Sequence, residues 1–421
     1  MHKNNIENFV NNNQLYIFLA LYISLILGFI LDENSTGGAY IDYKNQQLAV
    51  KSFANNFTDT LLNYENFSTR HSPILIILLS FLEKLNLSDY IIRAIHLHLC
   101  LILPLIFYKI LIEKFGNKLN AVFIILCGII FLSPTFRTLS IWPDSRLLGL
   151  IFFSLSILFF LKFQKVKKFN YCLYNILFCS ISSYISPNFS IFSIFYFLNF
   201  LIFYKLLSKE IFIIIFLNII LSLPAIYYIF VLDINFLNKT AGVGIKEDNV
   251  FFINIFNNIL LSFSIFSFYI IPFILSKIVK YRYFLDYKNI FISILILIIL
   301  ISNFDYNYNL SGGGIIFKFS NFFFNNNLFF YFFSFFSILI VITILDYKIL
   351  NIFLFSLVIL NNPQETIYHK YFDPFLIIIF FSLFFFNFDL KKMMKIKNLI
   401  FINTYFVCFL IISNLKFLWN I

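Results

Sequence analysis

Acidic side chains come directly after the first apolar run of this sequence. Asp32 and Glu33 follow the run 14–31. Asp42 comes after the pair Gly37–Gly38, where the backbone can bend sharply. A carboxylate in such a place can act as a general base that accepts a proton from a hydroxyl group. Asp32 and Glu33 also fit a simpler interpretation, in which charged residues mark the point where a helix leaves the membrane.

The segment after Asp42 has the apolar spacing of a helix. Its apolar positions are Ala49, Val50, Phe53 and Phe57. This pattern predicts a helix that carries the Asp42 carboxylate at its N-terminal end.

A fourth carboxylate, Asp144, stands where the polar turn 136–146 meets the apolar run 145–161. Asp is a preferred N-cap residue, so a structural role at the start of the next helix explains this position as well as a chemical role does. Both interpretations stay open at the level of sequence.

Cationic side chains form a second group that could do chemistry. Guanidinium, imidazolium and ammonium groups bind phosphate, and Arg does so with two parallel hydrogen bonds. The alternative is that these residues anchor the chain to lipid headgroups, with neighbouring tyrosines in an aromatic belt. The residues are Arg70 and His71, then Arg93, Arg137 and Arg146, and the segment Tyr368-His369-Lys370-Tyr371.

The composition indicates what kind of element must position these groups. Of the 421 residues, 61% are hydrophobic and 12% are charged, whereas soluble domains carry about 25% charged residues. We therefore expect an all-α polytopic membrane protein with a single integral-membrane domain over residues 1–421. The net charge of +11 reflects basic residues at the ends of apolar runs, which membrane topology explains better than a nucleic-acid partner.

Apolar runs of near-membrane length predict a bundle of about 11–13 transmembrane helices. The runs are 14–31, 90–112, 119–136, 145–161, 169–186, 189–204, 211–232, 251–276, 289–303, 327–345, 349–362, 374–388 and 398–415.

A further apolar run, Ile74–Leu82, covers only about 15 Å, half of a roughly 30 Å hydrocarbon core. The lysine-rich turns at 162–168 and 391–397 are cytoplasmic only if this run does not cross the membrane. We therefore predict a cytoplasmic N-terminus, an external C-terminus and a juxtamembrane helix over 74–82. The external loop 32–89 then shares one face with the turn 136–146, the loops 233–250 and 304–326, and the segment 361–374.

Taken together, these residues resemble the GT-C class of integral-membrane glycosyltransferases, which includes protein O-mannosyltransferases and the lipid A aminoarabinose transferase. His71-Ser72-Pro73-Ile74 is similar to the His-Pro-Pro-Leu start of a juxtamembrane helix in that class. Pro143-Asp144-Ser145 is similar to its Leu-Asp-Ser/Pro motif, and His369-Lys370-Tyr371 is a counterpart of its late Arg-Tyr motif. This sequence departs from the class in having one proline instead of two and Lys370 instead of Arg. The resemblance in arrangement covers a GT-C-like core at 14–165, followed by further spans at 166–421.

The resemblance implies transfer of a sugar from a polyprenyl-phosphate donor to a lipid, glycan or protein acceptor. The reaction would take place on the external or periplasmic face of the plasma (inner) membrane, as part of a cell-envelope pathway. Asp42 is favoured as the base by its distance from His71, whereas Asp32 and Glu33 match the class motif in letters and stay as alternatives. Asp144 would be a second catalytic residue. Residues implied to bind the donor phosphate are Arg70, His71, Arg146, His369 and Lys370.

Two further questions are left open by the sequence. No Cys or His spacing here gives a zinc pattern. The resemblance implies that no cofactor is required, and it leaves a divalent metal, which some members of the class use, as an open alternative. The alternative function is a transporter or lipid flippase of the same cell-envelope pathway. Coupled transporters place charged residues inside their spans, and the spans between residues 147 and 303 have almost none, which argues against ion coupling but leaves a passive flippase open.

Overall fold

The computed structural model describes residues 12–67, 72–117, 120–231, 254–275, 286–310, 312–364, 366–386 and 396–418. All regular secondary structure in these ranges is helical. Seven of the described helices are long and apolar enough to cross a membrane, and a bent pair gives an eighth candidate. The prediction of an all-α, multi-pass membrane protein is therefore confirmed.

The helices follow one another in this order. Up to residue 115 they are α1 (Gln14–Ile30), α2 (Ala39–Asn55), α3 (Phe57–Leu62), α4 (Pro73–Lys84), α5 (Asp89–Cys100) and α6 (Ile102–Phe115). The middle of the chain forms α7 (Asn120–Leu132), α8 (Pro134–Ile141), α9 (Ser145–Val166), α10 (Phe169–Ile185), α11 (Phe192–Tyr204) and α12 (Lys209–Phe230). The remainder forms α13 (Ile255–Phe273), α14 (Tyr287–Ile301), α15 (Gly314–Phe324), α16 (Leu328–Leu345), α17 (Ile349–Leu360), α18 (Phe375–Ser382) and α19 (Ile396–Leu418).

The chain divides into two compact units. The first unit comprises Leu15–Lys118, Ile130–Val250 and Phe409–Ile421. The second unit comprises Met1–Gln14, Leu119–Ile129 and Phe251–Cys408. In the first unit, α9 packs along α10 and α6, α2 packs on α4, and α5 packs on α8. In the second unit, α16 packs on α13 and α14, and α13 also contacts α15, α17 and α18.

Small residues let α9 and α10 approach closely in the first unit. A Cβ atom at Gly149 would lie 2.7 Å from Cβ of Ser186, so a larger residue would separate the two segments. The Ser182 hydroxyl donates to the Gly149 carbonyl at 2.8 Å, and the Asn175 amide donates to the Ser156 carbonyl at 2.8 Å. Close backbone approach with polar side-chain contacts is a common way for apolar helices to pack within a membrane.

The predicted polar turn at 136–146 is mostly helical instead. Helix α8 occupies Pro134–Ile141, and Val122–Leu132 meets it at a bend of 64°. Ser133 ends the first helix and caps the second, because its hydroxyl accepts the Phe136 N–H at 2.9 Å and Pro134 occupies the first helical position. Only Trp142-Pro143-Asp144 remains as a turn.

The predicted span over 374–388 was wrong in length. Helix α18 ends at Ser382, so it has eight residues. The Asn351 side chain supplies the physical reason, because its amide donates to the Phe385 carbonyl at 2.7 Å and accepts the Phe385 N–H at 2.9 Å. This pair of bonds occupies both backbone groups of Phe385, which lies outside the helix.

Two smaller expectations also need correction. The helix that carries Asp42 ends at Asn55, and Asn56 caps the next helix, so Phe57 begins α3 with 43% of its surface exposed. The predicted loop 304–326 contains the helix α15. The loop 233–250 lies outside the described residues.

Candidate functional site

Asp42 lies in the first turn of α2, directly after the glycine pair that separates this helix from α1. Gly37 has φ = +78°, a conformation that glycine adopts without strain and that turns the chain sharply. The apolar side chains of Ala49, Val50 and Phe53 are buried, as the sequence pattern predicted, and α2 packs on α4. The expected helix with a carboxylate at its N-terminal end is therefore confirmed.

Hydrogen bonds to Asp89, at the start of α5, fix the position of α2. The Tyr43 hydroxyl and the Gln47 amide each donate to Asp89 Oδ1 at 2.6 Å. Burial of the Tyr43 ring, together with the Asp89 hydrogen bond, holds the pKa of Tyr43 well above its ordinary value. Tyr43 therefore stays protonated as a donor across the physiological pH range, and α2 is held at a defined place.

Aromatic contacts place Asp42 and Asp144 in the same part of the first unit. The Tyr40 ring packs edge-on against Trp142 with centroids 4.8 Å apart, and Tyr43 lies 6.1 Å from the same ring. Tyr40 precedes Asp42 by two residues, and Trp142 precedes Asp144 by two residues. The two carboxylates that the sequence singled out are thus carried by segments in direct contact.

Asp144 is the N-cap of α9, because its Oδ1 accepts the Arg146 N–H at 2.7 Å. The structural role considered for this residue is therefore confirmed. Its side chain is buried.

Glu33 forms a buried ion pair with Arg137 of α8. The Arg137 Nη2 atom lies 2.6 Å from Glu33 Oε2, and Nε lies 2.9 Å from both carboxylate oxygens. The same guanidinium also binds the hydroxyl and the carbonyl of Ser24 at 3.0 and 2.8 Å. Gly28 makes room for the pair, since a Cβ atom there would overlap Glu33 Oε2 and lie 2.7 Å from Arg137 Nη2.

Asp32 is paired too, but on the surface. Its carboxylate lies 2.6 Å from Arg93 Nη2, and 62% of the Asp32 side chain is exposed against 7% of the Arg93 side chain. The Arg93 guanidinium also donates to the Ile141 carbonyl at 3.1 Å and stacks 3.5 Å above the Trp142 ring. Arg93 and Arg137, considered above as phosphate ligands, are instead held by protein carboxylates.

Two of the three candidate bases lie in these ion pairs. Glu33 faces the Arg137 guanidinium, and Asp32 faces that of Arg93. Asp42 is half-buried in the first turn of α2. The preference for Asp42 over Asp32 and Glu33 stays a prediction.

In the second unit, His369 uses both ring nitrogens within the protein. The backbone N–H of Ile315 donates to Nε2 at 3.0 Å, so Nε2 carries a lone pair. The proton of the neutral ring then sits on Nδ1, which lies 3.1 Å from the Tyr269 hydroxyl. Both ring nitrogens therefore contact protein groups, and the phosphate-binding role considered for His369 stays a prediction.

The glycine run before α15 docks onto the same segment. Gly312, Gly313 and Gly314 all have positive φ, and Gly313 donates its N–H to the Ile367 carbonyl at 2.8 Å. A Cβ atom at Gly312 would lie 2.6 Å from that carbonyl oxygen. The sequence indicated only a loop here, because nothing local shows which segment the loop contacts.

The cationic residues predicted to bind phosphate are therefore divided by the structure. Arg146 follows Asp144 in the first unit, and Lys370 lies in the second unit with its ammonium 5.4 Å from the centre of the Tyr368 ring. Arg70 and His71 lie outside the described residues. The structure of each unit by itself does not bring these four groups together.

Sequence reasoning missed the two ion pairs and the glycine that accommodates one of them. A signal was present, because Gly28 is a glycine in the last turn of an apolar helix that ends at an Asp-Glu pair. Glycine in such a place often marks a close approach by another group. No group of three or more metal-ligating side chains lies together in the described ranges. No protein-family model, curated protein or solved structure matches this chain.

Proposed function

We propose that this chain is a membrane glycosyltransferase that moves a sugar from a polyprenyl-phosphate donor to a lipid, glycan or protein acceptor. The observation that carries the proposal is the position of Asp42. It opens a helix directly after the first apolar segment, and that helix is pinned by Asp89 and by the Trp142 ring beside Asp144. Fixed carboxylates beside a membrane segment suit a reaction between a lipid-linked donor and a hydroxyl acceptor.

In the proposed reaction, the Asp42 carboxylate accepts the proton of the acceptor hydroxyl. The hydroxyl oxygen forms a bond to the anomeric carbon, and the bond from that carbon to the phosphate oxygen breaks. Polyprenyl phosphate then leaves with the bonding electrons, which nearby cations stabilise in place of a general acid. Arg146 is the group of the first unit proposed for that role, and Asp144 is proposed to position the acceptor. Arg70 and His71, which lie outside the described residues, are proposed for the same role on the resemblance alone.

The test is release of polyprenyl phosphate by the purified full-length chain in nanodiscs, with radiolabelled polyprenyl-phosphate sugars as donors and a membrane extract as acceptor. We expect Asp42→Asn to lose roughly 100-fold or more in rate, because the amide keeps the shape but accepts no proton. Asp144→Asn should also be severely impaired. Asn is itself a good N-cap residue, so that loss would not come from the start of α9.

Asp59→Asn is the matched control, because Asp59 is an exposed carboxylate in the same loop. It should keep near-normal activity. Normal activity of Asp42→Asn would contradict its role as the base. Normal activity of Asp42→Asn, Asp32→Asn and Glu33→Gln alike would rule out a carboxylate base in this loop, and movement of intact donor lipid across the bilayer without release of phosphate would favour a flippase.

A further inference from the structure

Gln46 is a buried polar side chain without a hydrogen-bond partner in the described part of the protein. It is 3% exposed, and neither its Oε1 nor its Nε2 atom is bonded. The next residue, Gln47, has the same side chain on the same helix, but its amide donates to Asp89 at 2.6 Å. The two glutamines can therefore be compared directly, because Gln47 has a hydrogen bond to the protein and Gln46 has none in the described part.

An amide in this state destabilises the folded protein. Buried polar atoms are nearly always hydrogen-bonded, and each unbonded one costs free energy that an apolar side chain of the same size would not. The buried neighbours of Gln46 along α2 are apolar or already bonded: Ala39, Tyr43, Ala49, Val50 and Phe53. A bound group that both donates and accepts hydrogen bonds would offset this cost.

The position of Gln46 connects that role to Asp42. Residues four apart lie on the same face of a helix, so Gln46 stands one turn below Asp42, about 6 Å along the helix axis. That separation is comparable to the width of a sugar ring. A ligand whose reacting hydroxyl lies at Asp42 would therefore present its neighbouring ring substituents to Gln46.

The chemistry of the amide selects the class of ligand. A glutamine side chain offers two N–H donors and a carbonyl acceptor, so its complement is a neutral group that both donates and accepts. Sugar hydroxyls and an acetamido substituent have this property, whereas a phosphate group only accepts.

We propose that Gln46 is a specificity-determining residue that binds the hydroxyl or acetamido substituents of the acceptor sugar, an inference that rests on the proposed function of Asp42 as the base. Under this assignment the acceptor is a glycan or a glycolipid, because its ring places one hydroxyl at Asp42 and its neighbouring substituent at Gln46.

Binding of methyl hexosides and methyl N-acetylhexosaminides to the full chain in nanodiscs tests the assignment, with saturation-transfer NMR as the readout. We expect the wild type to bind at least one of the two series, and the series that binds identifies the substituent. Gln46→Met should weaken this binding roughly ten-fold, as expected for the loss of hydrogen bonds to a ligand. Gln47→Met should keep it.

The thermal midpoint provides the structural control. Gln46→Met should raise Tm because it removes an unbonded buried amide, whereas Gln47→Met should lower Tm because it removes a donor from Asp89. Unchanged glycoside binding in Gln46→Met, or no binding by the wild type, would overturn the inference. Gln46-dependent binding by a chain that transfers no sugar would overturn the proposed function and leave this subsite standing.

Discussion

Two neighbouring carboxylates, Asp32 and Glu33, show how burial changes the contribution of an ion pair to stability. Both face a guanidinium at 2.6 Å. The Glu33 and Arg137 side chains are 9% and 6% exposed, whereas 62% of the Asp32 side chain is exposed. A pair removed from water has little solvent to replace a lost partner, whereas water can solvate the exposed partner of a surface pair.

We therefore expect Glu33→Gln to destabilise the protein by about 3–5 kcal/mol, because it leaves the Arg137 charge buried without a counter-charge. The measurement is thermal or denaturant unfolding of the purified protein in detergent. Asp32→Asn is the matched control and should cost about 1 kcal/mol or less, since Arg93 keeps its bonds to Ile141 and Trp142.

The double variant Glu33→Gln with Arg137→Gln completes the cycle. Replacing both charges should recover most of the stability lost in Glu33→Gln, because no uncompensated charge then remains in the interior. A double variant as unstable as the sum of the two single variants would show that the pair does not act as a pair.

Among the secondary-structure elements and loops, the glycine run 312–314 shows most clearly how contacts with a distant segment fix the conformation of a loop. Its backbone donates to Ile367 through Gly313, and the next N–H, that of Ile315, donates to His369. These bonds hold the segment before α18 in place through one main-chain carbonyl and one imidazole side chain. The glycines are required because their positive φ and the space around them exclude larger residues.

Gly312→Ala should detach this loop. Its new Cβ would lie 2.6 Å from the Ile367 oxygen, so the Gly313 and Ile315 amides should lose protection in hydrogen exchange. Gly116→Ala is the control, because Gly116 also has positive φ, at +82°, but has open space around it. We expect Gly116→Ala to cost about 1–3 kcal/mol from backbone strain and to leave both amides protected. Equal exchange in the two variants would contradict the docking.

For the molecule as a whole, the prediction concerns which face of the membrane each turn occupies. The lysine-rich turn after α9 should be cytoplasmic and the loop that carries α2 and α4 external. In a background without native cysteines, Lys167→Cys should resist an impermeant thiol reagent in intact cells, whereas Asn56→Cys and Lys84→Cys should both react.

The two external positions serve as controls for each other, because they lie on either side of α4. Both should label if this helix lies along the membrane surface, and only one if it crosses. Labelling at position 167 without permeabilisation would overturn the topology.

Some of this could be read from residue order alone, because the cause is local. Helices α2 and α4, the capping role of Asp144 and the multi-pass character follow from apolar spacing, from a preferred cap residue and from composition. Each depends on neighbours within a turn or two of the chain, which the sequence displays directly.

The remaining features were decided only by the tertiary structure, because their partners are far apart in the chain. Arg137 meets Glu33 across 104 positions, and the side chain of Asn351 ends the helix before Phe385. In the same way, Gln46 and Gln47 are the same residue type, and only packing bonds Gln47 to Asp89 and leaves Gln46 without a partner among the described residues. The spacing of apolar residues predicts which face of a helix is buried. Which group packs against that face depends on how segments distant in sequence come together.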